Sequence, residues 1–109
     1  MSARFVTSLR ARPTPIRLVA EGATSVWTLR VQGAEVYDAV RVEVLPTTMV
    51  RDVKQAAMAE LMPDVDALDA YVVKLGGFEV ADEGASVQAA GATDGSTFLV
   101  MARRRRPVR

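Results

Sequence analysis

The sequence predicts an α+β fold: a mixed sheet of four to five strands packed on one helix, in the order β-β-α-β-(β)-β. Three observations carry that prediction. Apolar and polar residues alternate through 27–44 on either side of one turn-forming stretch, a single apolar stripe at helical period follows over 48–62, and further alternating runs come after it. A chain of 109 residues can bury one core and has no room for a second. It divides into a basic presequence-like arm (1–25), a folded body (26–102) and an arginine-rich C-terminal arm (103–109).

The arm opens on a short amphipathic pattern. In a helix from Ser2 to Arg12, Phe5, Val6 and Leu9 share one face, and Pro13 and Pro15 then stop it. The stretch is rich in arginine, carries Ser and Thr, and has no acid before Glu21, as mitochondrial import segments do. In the body, Trp27, Leu29 and Val31 alternate with Thr28, Arg30 and Gln32. The sequence GAEVYD (33–38) supplies a turn, and Val40, Val42 and Val44 alternate with Arg41 and Glu43, which completes a hairpin. Pro46 ends the second strand and Thr47 or Thr48 is placed to cap a helix. Along that helix Val50, Val53, Ala57 and Leu61 form the stripe, Asp52 sits at the positive end, and Pro63 closes it.

Tyr71, Val73 and Leu75 then alternate in a third strand ended by Gly76 and Gly77. A turn-rich stretch follows, with one short strand predicted at 79–81 and one helical turn near 86–89. The last strand, 97–102, puts Phe98, Val100 and Ala102 on one face. Trp27 and Phe98 are expected in the core, while Tyr37 and Phe78 fall at turns, where they can serve as exposed contacts.

Charge is distributed unevenly. The net charge is +1, yet residues 1–20 and 103–109 carry nine arginines and no acid, so the stretch between them holds all 13 acids against five bases. The chain has no cysteine and no histidine. This removes thiol nucleophiles, disulfides, thiolate and imidazole metal ligands, and the usual general base near neutral pH. The acids at 64, 66, 69, 82 and 83 read as solvated turns, and Gly76-Gly77 and GATDG (91–95) match no phosphate-binding loop. No cofactor and no metal are therefore expected, and no apolar stretch approaches the ~20 residues of a membrane-spanning helix.

Three segments carry a resemblance: VEVLPTTMVRDVKQ (42–55), with a strand, a proline, a polar cap and Val-Lys one turn into the helix; LGGFEVADEG (75–84); and STFLVMAR (96–103). Together they resemble ubiquitin and its β-grasp relatives over about 26–106. The resemblance implies a ubiquitin-like β-grasp fold. It also implies where partners would bind, because the family's apolar patch falls at Lys74 and Met101. Family conjugation needs a Gly-Gly end, but no glycine follows Gly95, and Arg104, Arg105, Arg106 and Pro107 occupy the corresponding stretch. A non-conjugating domain is expected.

The expected function is a non-catalytic accessory or scaffold subunit of a large assembly, most readily a mitochondrial complex, respiratory or ribosomal. Arg4, Arg10, Arg12 and Arg17 on one arm and Arg103, Arg104, Arg105 and Arg106 on the other would tether it to other protein subunits, with RNA or anionic lipid as further partners of the second arm. The alternatives are an RNA-bound ribosomal subunit, an axonemal or microtubule structural protein outside mitochondria, and a free adaptor binding through the sheet around Val73 and Met101.

Overall fold

The structure, a computed structural model, describes residues 15–103. In chain order these form β1 (Ile16–Arg17), β2 (Trp27–Gly33), β3 (Asp38–Val44), α1 (Val50–Leu61), a 3₁₀ turn (Leu68–Ala70), β4 (Tyr71–Leu75), β5 (Phe78–Glu79) and β6 (Thr97–Ala102). All six strands belong to one mixed sheet with the order β1-β3-β2-β6-β4-β5, and α1 packs on one of its faces.

The sheet is one strand larger than the four to five expected. The added strand is β1, drawn from residues assigned to the N-terminal arm, and it pairs parallel with β3 through Ile16↔Val42 and Arg17↔Glu43. Its register is set by three side chains. Ile16 and Leu18 pack against the core while Arg17 faces out and pairs with Glu43, and the Leu18 N–H donates to the Glu43 carbonyl at 2.8 Å. Two residues are too few to show a period, so the sequence gives no strand signal there. The helix expected over residues 2–12 lies outside the described residues.

The β2–β3 hairpin pairs Trp27↔Val44 through Gly33↔Asp38, so Leu29, Val31, Val40, Val42 and Val44 share the buried face. Its turn runs through Ala34–Tyr37 and places Tyr37 at φ +54°, in the left-handed region. β6 lies beside β2 in parallel and beside β4 antiparallel, bringing Phe98 and Val100 between Val31 and Val73. Phe98, Leu29, Met58 and the valines form the fully buried centre. Burying a side chain such as Phe98 contributes about 2–3 kcal/mol against exposure.

The helix starts differently from expectation. Neither Thr47 nor Thr48 caps it: the N-cap residue is Met49 and makes no side-chain cap, while the Thr48 hydroxyl accepts from the Leu45 N–H at 3.0 Å. The orphan N–H groups of the first turn are instead satisfied from across the chain. Val50 donates to the Ala85 carbonyl at 2.9 Å and Arg51 to the Glu83 carbonyl at 2.8 Å, and Val87 and Gln88 donate back to the carbonyls of Thr48 and Pro46. A tertiary partner thus does what a threonine cap would have done locally.

β5 begins one residue earlier than predicted. Gly76 and Gly77 take φ of +61° and +88°, which closes a tight turn and sets Phe78 opposite Leu75 and Glu79 opposite Lys74. β4, β6 and the turn near 86–89 lie where the alternation and spacing placed them.

One charged side chain enters the core. Lys54 is 4% exposed, and its Nζ donates to the Tyr71 carbonyl at 2.7 Å and to the Glu83 carboxylate at 3.0 and 3.2 Å. All three ammonium protons have acceptors, so the charge is buried without an unmet bond. The group ties α1 to the start of β4 and to the loop that caps the helix.

Candidate interaction face

The side of the sheet away from α1 has no second layer of described elements. Strand alternation presents Thr28, Arg30 and Gln32 from β2, Ala39, Arg41 and Glu43 from β3, Thr97, Leu99 and Met101 from β6, and Val72 and Lys74 from β4. Lys74 lies opposite Leu99, and Met101 opposite Val72. The residues at which the resemblance places the family's patch therefore share this open face. Val73 does not: it pairs with Val100 and is 2% exposed against the helix, so an adaptor surface cannot be built around it.

Arg30 and Arg41 stand directly opposite each other across the hairpin. Like charges in that position repel by a few tenths of a kcal/mol to about 1 kcal/mol. The Arg30 guanidinium has no ion-pair partner among the described residues. Beside it lies a depression of about 320 Å³, lined by Arg30, Gln32, Ala39 and Leu99 from the sheet and by Gly33, Ala34, Tyr37 and Asp38 from the turn. Tyr37 walls it with a ring that is 86% exposed. The turn is braced against β6, since the Ala34 N–H donates to the Val100 carbonyl at 2.9 Å and Glu35 Oε2 accepts from the Ala102 N–H at 3.1 Å.

Of the tether arginines, Arg17 pairs with Glu43 on the sheet. Arg103 donates its backbone N–H to the Ala70 carbonyl at 2.7 Å, and its guanidinium lies 3.8 Å from Glu79. These two engage their own chain. Arg4, Arg10, Arg12, Arg104, Arg105 and Arg106 lie outside the described residues.

Strand register fixes where the described chain begins and ends. β1 meets β3 at Val42 and Glu43, in the half of β3 away from the hairpin turn. β6 runs parallel to β2, which ends at the turn, and Val100 lies opposite Gly33, so Arg103 follows β6 at the turn end. β1 and β6 are separated across the sheet by β3 and β2, three inter-strand steps of roughly 14 Å in all, and they are also offset along the strands.

Among the described residues, no three His, Cys, Asp or Glu side chains converge to hold a metal ion, and no helix is long and apolar enough to cross a membrane. Sequence reasoning named Tyr37, Lys74 and Met101. It missed Arg30, Gln32 and Leu99, which the alternation had already marked as facing away from the core.

No family model and no curated protein matches the chain. Solved structures do. A ubiquitin-like domain from Arabidopsis thaliana aligns with TM-score 0.60 and 18% identity, covering 83% of this chain and 90% of its own. The C-terminal ubiquitin-like domain of mouse tubulin-specific chaperone e aligns with TM-score 0.63 and 13% identity, over 83% of this chain and all of its own. A ubiquitin-like protein from Trypanosoma brucei aligns with TM-score 0.59 and 24% identity, over 75% and 100%.

Proposed function

Because the chain has the ubiquitin-like β-grasp fold, we propose that it works as a non-catalytic accessory subunit, a rigid wedge held in a larger assembly by its two basic arms. The observation that carries this reading is the charge distribution: residues 1–20 and 103–109 hold nine arginines and no acid, so an acidic partner surface can engage both segments. Two tethers on one body act as a bivalent contact, in which the second binding event profits from the first. The absence of His and Cys from the sequence supports a binding role over a catalytic one.

The amphipathic, acid-free stretch over residues 1–20 supports a mitochondrial location, and the assembly is then a respiratory or ribosomal complex. The test substitutes Ser at Arg10, Arg12, Arg104, Arg105 and Arg106 together. The variant is expected to keep its far-UV circular dichroism and its melting temperature, yet to migrate free of the high-mass complex on native gels of a mitochondrial lysate. Co-migration at the wild-type level would sink the tether, and exclusion of the full chain from imported material in a protease-protected import assay would sink the location.

A further inference from the structure

We propose that the depression between the hairpin turn and β6 is a docking groove for an acidic protein segment, with Arg30 receiving a carboxylate and Tyr37 and Leu99 receiving an adjacent apolar side chain. This surface is built from the sheet itself and is separate from the arms.

Three features carry the proposal. First, the Arg30 guanidinium has no ion-pair partner among the described residues, so a carboxylate entering here meets an unanswered charge and can form forked hydrogen bonds with it. Second, Tyr37 sits at φ +54° with its ring 86% exposed. A bulky residue held in the left-handed region costs of order 1 kcal/mol, and glycine would fill the position with less strain. The turn keeps an aromatic there that the fold does not bury. Third, the groove continues past Arg30 into a second depression of about 180 Å³ bordered by Thr28, Arg41 and Gly95, giving an extended segment a path across both.

The lining also selects the partner. Asp38 lines the groove and Glu35 stands on the same turn, so the groove offers one guanidinium and no cluster of positive charge, which suits a segment that brings a single carboxylate better than a polyphosphate with a charge on every unit. Tyr37 is the one aromatic in the lining, too few for a stack of successive bases. A peptide spaces its carboxylates and places apolar side chains between them, which matches a single guanidinium flanked by Tyr37, Ala39 and Leu99.

The test titrates the full ¹⁵N-labelled chain with the acetylated, amidated peptide Gly-Asp-Leu-Phe-Gly-Ser and follows amide shifts. Residues 30, 32, 37 and 99 are expected to move, and binding is expected to weaken with added salt. Arg30→Ser and Tyr37→Gly should each weaken binding about tenfold, as loss of a central anchor does. Tyr37→Gly is the discriminating variant, because it suits the backbone and should leave the melting temperature nearly unchanged. Shifts confined to the arms, unchanged affinity in Tyr37→Gly, or tighter binding of oligouridylate at the same residues would each overturn the proposal. The chain with serines at the arm arginines should still bind the peptide, so failure of the tether reading and failure of the groove are read separately.

Discussion

The two faces of the sheet come from the same strands and follow different rules. On the helix side, Leu29, Val31, Val42, Val44, Phe98 and Val100 are fully buried and contribute almost nothing but volume and apolar area. One residue along each strand, the open side carries Arg30, Gln32, Arg41, Lys74, Leu99 and Met101, chemically mixed, with Arg30, Gln32 and Leu99 lining a depression. Period-two alternation makes this possible, since neighbouring positions report to different environments. Stability and recognition can then be altered independently within a single heptapeptide such as β2.

Substitutions test that separation directly. The largest effect is expected from Phe98→Ala, which leaves a cavity at the centre of the covered face and should cost about 3–5 kcal/mol, read as a lowered urea midpoint. Lys54→Ala comes next, at about 2–4 kcal/mol by the same measurement, because Glu83 and the Tyr71 carbonyl lose their partner together. Lys54→Met, which keeps the stem, should lose less. Gly33→Ala should cost about 1–2 kcal/mol, since a Cβ there would stand 2.8 Å from Val36 Cγ2 and 3.4 Å from Leu61 Cδ1. The smallest effects belong to the open face. Arg30→Ser and Leu99→Ser should shift stability by no more than about 0.5 kcal/mol in thermal unfolding. Tyr37→Gly should fall in the same range, because relief of the left-handed strain is offset by the added freedom of glycine in the unfolded chain. If an open-face substitution destabilised as much as Gly33→Ala, the division between the faces would be wrong.

Much of this was legible in the residues. The hairpin, the helix stripe and the last strand all announced themselves by period, because each buries one face and wets the other. β1 did not, since its position depends on Ile16 and Leu18 finding an apolar margin of a sheet formed far along the chain. The helix start was misread for a similar reason: a threonine beside a helix is a good local cap, but the Glu83–Ala85 carbonyls reached the same N–H groups first. The helix stripe did not include Lys54, and its burial follows from an acid 29 positions later. Of the candidate face, the sequence yielded the direction of each side chain. The opposition of Arg30 and Arg41 and the conformation of Tyr37 needed strand register and a turn geometry that local sequence does not specify.

The parallel pairing of β1 with β3 has a mechanical consequence. A load applied through both arms reaches β1 first, which meets β3 through only two residue pairs, at Val42 and Glu43. So few bonds yield at low force. Once β1 has peeled away, the load passes to Trp27 at the far end of β2 while β6 is still held at its near end. The parallel β2–β6 pair is then strained along its length, with its four residue pairs resisting together. The short first strand therefore acts as an extensible slack that gives way before the force reaches the core.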